Sequence, residues 1–479
     1  MKCPAFAAGI AIAVAFSGSS ATAAEPLQIG SSRQLFVDRH LIEDLTDVRL
    51  VLHQPVRREI AIANEFPWER FGVSYMTVFR DGEKFRAWYR ADGADFNKGK
   101  RRAMTAYAES EDGVHWHKPK LGLIEFDGSK ENNLIWDGPG ANMSVFKDGN
   151  PHAPDDERYK AFVRAGDILG LVSPDGVRWR LLQKAPLLTD RPFDSHNIVY
   201  WDERAQEYVA YTRGIRTDGK LGHGATRSFK EGVRWIRRST SKDFRNWSPL
   251  VPITTGNAPL EQLYTNSAIP YPRAPQYVLM FPSRFVDARE PQPGWIGGKG
   301  VSDIVFLSSR DGLNFDRTFP EAFVRPGPDT GNWHERAIYM ERGILQTAPA
   351  EMSLFAMENW RLPSVNIRRL TLRPAGFVSV NGPYAGGELL TKSFVFTGDN
   401  LRLNYATSAA GSLRAELQDA SGQPLPGFSI DDCPEMFGDR IDGEVNWSGE
   451  ADLSKFAGMP LRLRCVLKDA ALYSFRLSD

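Results

Sequence analysis

Apolar and polar positions alternate along short runs through most of the chain, and no segment sustains the 3.6-residue apolar period of an amphipathic helix. Runs such as AMTAYAE, LGLV, WIRRST and DIVFLS read as strands, and each leads into the same punctuation. That punctuation is SEDGVHW at Ser110–Trp116, SPDGVRW at Ser173–Trp179, SKDFRNW at Ser241–Trp247 and SRDGLNF at Ser309–Phe315, spaced by 63, 68 and 68 residues. An Asp-Gly turn supplies positive φ between two strands, and the aromatic three residues on packs back over it. A further strand pair stands upstream of each turn, starting near Ser74, Met143, Asn197 and Ala268. Each unit is therefore two hairpins, and a shorter fifth unit runs from Ala337 to Trp360. Four-stranded sheets at a fixed period, without helices, predict an all-β chain: a five-bladed β-propeller.

Two strand-like runs precede the first unit, Gln34–Asp38 and Val48–Pro55. The second is expected to complete the last blade and close the ring, unless it forms a strap on the outside. Beyond Phe377 the alternation continues through LTKSFVF, LRLNYAT, LRAELQD, RLRCVLK and LYSFRL, a length suited to a C-terminal β-sandwich. The expected organisation is a leader over 1–24, a catalytic propeller over 25–380 and a sandwich over 381–479. The sandwich is either carbohydrate-binding or a structural cap. In the leader, Lys2, the apolar stretch from Ala5 to Phe16 and the small residues Ala21 to Ala23 have the form of a cleavable export signal, which implies a periplasmic or secreted protein.

Composition narrows the function. Lys+Arg and Asp+Glu number 59 each, so bulk charge does not favour nucleic acid as a partner. No apolar run is long enough for a membrane-spanning helix. With three cysteines in 479 residues a disulfide scaffold is excluded; Cys433 and Cys465 could pair or remain buried thiols. Dinucleotide, P-loop, zinc-protease and nucleophile-elbow motifs are absent. No metal ligand set stands out and no cofactor is required.

The innermost strands of a propeller all start at one end of the central channel, where side chains from distant segments converge. Those starts carry Glu69, Asp194, Glu261 and Glu335, with Asp303 on a parallel third strand. Two carboxylates across a cleft can cleave a glycosidic bond, one protonating the leaving oxygen and one acting as base or nucleophile. Asp194 is expected as the ionised base or nucleophile and Glu335 as the general acid. The second strands end at Arg90, Arg164, Arg213 and Arg284, which would rim the same face and hold a carboxylate or sulfate, unless each pairs with a neighbouring acid or supports a loop. His196, Asn266, Trp333, His334 and Arg336 complete the expected saccharide contacts.

These repeated Ser-x-Asp-Gly-x-x-Trp turns and acidic strand starts, over about residues 60–380, resemble the propeller glycoside hydrolases of families 43 and 32. At the level of wording, LFVDRHLIED (Leu35–Asp44), FDSHNIVYWD (Phe193–Asp202) and YTNSAIPYPRAP (Tyr264–Pro275) look like exported bacterial glycosyl-hydrolase-like proteins. So do GELLTKSFVF (Gly387–Phe396) and LKDAALYSFRL (Leu467–Leu477). The resemblance implies an oligosaccharide substrate and an acid at the first blade. The chain departs from it in lacking Asn-Asp-Pro-Asn-Gly and in offering Glu69 where family 43 has an Asp. A non-catalytic carbohydrate-binding propeller stands as one alternative. The other is a lyase with Tyr264 or His196 as base and Arg213 neutralising a uronate.

Overall fold

The computed structural model describes residues 25–93, 103–217, 220–221, 232–295, 297–449 and 452–478. The leader, including Cys3, lies outside these residues. Helix among the described residues is confined to single 3-10 turns such as Pro67–Glu69 and Thr330–Asn332. The rest of the regular structure is strand, arranged in several small antiparallel sheets in a propeller-like manner and one larger sheet.

The first sheet orders Gly72–Asp81, Lys84–Asp92, Ala103–Ser110 and Leu134–Trp136. A second follows from Ala141–Lys147 to Arg180–Leu181, and a third from Ile198–Asp202 to Val251–Pro252. The next region divides into two three-stranded sheets, one around Ser283–Val286 and one around Ala274–Met280. Phe281 and Pro282 interrupt what would be one long strand, because proline has no N–H for the ladder. The last sheet joins Tyr339–Met340, Leu345–Ala348, Glu351–Glu358 and Asn366–Leu372 to an N-terminal strand, Val56–Ala63.

Buried side chains lie between successive sheets. Trp88 and Tyr107 of the first meet Val145 and Val163 of the second. Phe162 meets Phe244 across the next gap, and Tyr211 meets Val278 across the one after. Leu279 packs near Leu354, and finally Val73 and Tyr89 of the first sheet pack with Phe355 and Ile367 of the last. Packing thus returns to its starting sheet.

The repeated turns are built as their composition requires. Ser110 Oγ donates to Asp112 and accepts from Gly113 N, while Asp112 Oδ1 accepts from Val114 N and His115 N. The bonding recurs at Ser173–Asp175 and Ser309–Asp311. Two short polar side chains satisfy backbone donors where the chain leaves the third strand.

Two expectations about the flanks change. Val48–Pro55 does not close the ring: Arg49–Leu52 pairs with Val378–Asn381, and Val56–Ala63 beyond Pro55 joins the last sheet instead. The segments Leu27–Gly30, Gln34–Leu35, Ile42–Thr46 and Arg49–Leu52 belong to one ten-stranded sheet with the C-terminal strands. In it Asn400–Asp419 and Leu461–Ser478 pair antiparallel over nearly their whole length. Cys433 and Cys465 are both buried and unpaired there.

Candidate functional site

Asp194 is the centre of the site. Asn197 Nδ2 braces its loop through the carbonyls of Phe193 and Ser195, and Ser195 holds a left-handed φ of 108°. Burial pushes the Asp194 carboxyl upward, but the combined charges of Arg213, Arg164, Arg336 and Arg90 outweigh it and hold the group below its ordinary value. Three guanidiniums from three separate sheets, and a fourth from the turn before Tyr339, therefore face one carboxylate.

Strand register delivers them. Arg90 lies opposite Ser74 and Arg164 opposite Ala141, so the ends of second strands meet the starts of first strands as expected. Arg90 donates to Asn142 Oδ1 at 2.7 Å and to Asp92 at 2.8 Å. Arg213 donates to the Tyr264 carbonyl at 2.8 Å, and its guanidinium carbon stands 4.3 Å from the Tyr264 ring centroid. Arg336 also lies over that ring, at 5.8 Å.

Three tyrosines line the centre. Tyr75 stacks on Tyr339 at 5.7 Å and Tyr339 on Tyr264 at 5.3 Å, with interplanar angles of 9° and 19°. The Tyr264 hydroxyl stands 3.5 Å from Asp194 Oδ2. Burial, reinforced by neighbouring tyrosines, raises the phenols of Tyr75 and Tyr339 well above the ordinary value. Tyr75 has a left-handed φ of 53°, and buried Glu341 accepts from its N–H at 3.1 Å and from Met76 N–H. Burial pushes the Glu341 carboxyl well above its usual range.

The remaining expected residues divide by what already holds them. Glu335 touches the cluster through Arg336 at 2.8 Å and is also bonded to Arg361 at 2.7 Å. Burial acts upward on it, but these two arginines keep it below the ordinary carboxylate value, which suits an anion and not a general acid at neutral pH. His196 is buried against Tyr75, ring centroids 5.6 Å apart, and burial lowers its pKa to about 3. It is neutral at working pH, so a pH–rate profile should show no limb between pH 5 and 8. A limb there that His196→Gln abolishes would contradict this.

Glu69 is fully buried elsewhere, accepting from Tyr89 at 2.5 Å, Lys118 at 2.9 Å and the amides of Glu65 and Phe66. It ties a loop to the first sheet and does not join Asp194. Glu69→Gln is expected to cost about 3 kcal/mol in urea unfolding, because Lys118 is left buried without its closest charge partner. Unchanged stability with lost activity would reverse that assignment. Arg284, Asp303 and Glu261 form their own network: Arg284 forks onto Asp303 at 2.9 and 2.6 Å and reaches Glu261 at 2.7 Å, with Arg317 on Glu261 at 2.9 Å. Its charge is matched, which leaves no handle for a substrate anion.

Asn266 braces backbone, donating towards the carbonyls of His196 and Tyr211. Trp333 donates to the Gly327 carbonyl at 2.7 Å, and His334 stacks on Trp295 at 3.7 Å. None of these three is shown in contact with Asp194. The residues that the sequence reading passed over are Tyr75, Tyr339, Glu341 and Arg361. The two tyrosines had a signal, since GVSYM and AIYM place Tyr near the start of the first strand in two units.

No known protein family's sequence profile matches the chain. Uncharacterized proteins of two Mycobacterium tuberculosis strains are 29% identical over 153 residues, 30% of this chain and 46% of theirs. The matched region thus spans about half the length of these curated relatives. Among solved structures the chain is similar to a glycoside hydrolase, with a TM-score of 0.45, 15% identity and coverage of 67% of this chain and 93% of that one. It is also similar to a glycosyl hydrolase from Bacteroides ovatus, with a TM-score of 0.40, 14% identity and coverage of 68% and 95%. A protein of the mannoside phosphorylase family that contains glycoside hydrolases targeting beta-1,2 mannosidic linkages gives 0.40, 13%, 72% and 97%.

Proposed function

We propose that this is an exported carbohydrate-active enzyme, a glycoside hydrolase that cleaves an oligosaccharide bearing a carboxylate or sulfate. The catalytic unit is a five-bladed propeller closed by Val56–Ala63 and ending near residue 380, and the ten-stranded sheet is its structural cap. The observation that carries the reading is one ionised carboxylate, Asp194, facing Arg90, Arg164, Arg213 and Arg336 beside a stack of three tyrosines. Arg90 also pairs with Asp92 and Arg336 with Glu335, yet guanidiniums still outnumber carboxylates around Asp194, which favours a further negative group from substrate. The tyrosine faces supply the apolar wall that a sugar ring needs.

In hydrolysis Asp194 takes the proton of the attacking water or attacks the anomeric carbon itself. The leaving oxygen takes its proton from the Tyr264 hydroxyl beside Asp194, since Glu335 is held as an anion. Because Asp194 sits below its ordinary value of 3.8, it stays ionised as pH falls through that value. The acid limb of kcat/KM should therefore lie below pH 3.8. An acid limb well above it would show that Asp194 is not the essential anion.

A second reading is favoured by the same tyrosine. In it Tyr264, with Arg213 and Arg336 over its ring, passes its proton to Asp194, takes the proton beside a uronate carboxyl and returns it to the departing glycosidic oxygen, so that elimination opens the bond. The first test is turnover of matched oligosaccharides with and without the anionic group, at low and moderate salt. Faster turnover of the anionic member, falling with salt, supports the reading; equal turnover without salt dependence makes the arginines structural.

A further inference from the structure

A second mouth lies at the ends of the first strands away from Asp194. Where the first strands of the first three sheets end, a cavity of about 470 Å³ opens among Phe79, Phe146, Tyr200, Trp201, Ile344 and Arg342. Arg342 is 7% exposed. Its Nη1 donates to the Val145 carbonyl at a long 3.3 Å, and its buried Nε has no hydrogen-bond partner. Among the described residues it forms no ion pair. Burial lowers its guanidinium to about 10, still far above neutral pH, so the charge persists.

The other cations at this mouth are engaged. Lys147 pairs with Asp81 at 2.6 Å, and Arg80 donates to the Gly82 carbonyl at 3.1 Å. Trp201 Nε1 is a second buried donor without a partner in the same wall. A buried guanidinium without a counter-charge is costly, and so is an unpaired indole N–H. The cavity is larger than a bare inorganic ion needs, and its aromatic sides suit the face of a ring.

We propose that this mouth is a second binding site, for a carboxylate-bearing sugar whose carboxylate meets Arg342 and whose ring lies against the aromatic walls. The site is separate from the Asp194 centre and needs no turnover there. The experiment is calorimetric titration of the full protein with sodium glucuronate, glucose and inorganic phosphate. It compares wild type with Arg342→Gln, with Ile344→Trp, which fills the cavity without touching the guanidinium, and with Arg213→Lys, which alters only the other mouth.

Two glucuronate sites are expected in wild type: Arg213→Lys weakens only the one at Asp194, while Arg342→Gln and Ile344→Trp weaken only the other, roughly tenfold or more, and glucose does not bind at the Arg342 mouth. Should Arg342→Gln fail to fold, Ile344→Trp carries the comparison. Equal binding in all variants, or loss in Arg213→Lys alone, would overturn the proposal. Phosphate binding as tightly as glucuronate would also overturn it, since the walls would then contribute nothing.

Discussion

Asp194→Asn is expected to lower turnover by about a hundred- to ten-thousandfold while leaving a folded protein. The side chain keeps its size, and its loop is held independently by Asn197 and the surrounding strands. What is lost is the negative charge that four arginines stabilise. The change should fall on kcat, because the substrate anion and the tyrosine wall still bind. The variant also leaves those arginines facing one another, so its melting temperature should fall most at low ionic strength. If KM alone rises and kcat is preserved, Asp194 is a binding group and the catalytic reading fails.

Arg213→Lys is expected to raise KM for an anionic oligosaccharide by about ten- to a hundredfold and to change a neutral analogue little. Lysine keeps the charge but loses the planar fork that lies over Tyr264 and donates to its carbonyl. Equal effects on both substrates would mean that Arg213 only supports Tyr264. The companion Arg284→Lys should spare KM, because Arg284 is committed to Asp303 and Glu261. These variants are read by initial rates at fixed salt.

The contrast between those arginines shows what was legible in the sequence. The four-strand order of the first three sheets was, since each Ser-x-Asp turn carries its hydrogen-bond chemistry within seven residues, whereas the fourth region divides at Phe281–Pro282. Strand-end topology brought Arg90, Arg164 and Arg213 together around Asp194, as spacing suggested. The same rule placed Arg284 among them, but topology gives a direction and not a partner, and Asp303 and Glu261 took up its charge. Glu69 failed for a similar reason: a buried acid beside Lys118 and Tyr89 becomes a brace. The closing strand was hidden because Val56–Ala63 is outermost in its sheet, leaving Val56 54% and Ile60 44% exposed and its alternation blurred. Tyr75 and Tyr339 were not legible because an uncharged aromatic at a strand start reads as core, although their shared strand position marks them.

The most direct test of the central claim is product analysis of an anionic oligosaccharide digested in heavy-oxygen water. The account predicts cleavage with one label from water in the new reducing sugar, abolished by Asp194→Asn. An unlabelled, ultraviolet-absorbing unsaturated product would contradict hydrolysis and establish elimination through Tyr264, and recovery of intact, bound oligosaccharide would contradict catalysis altogether.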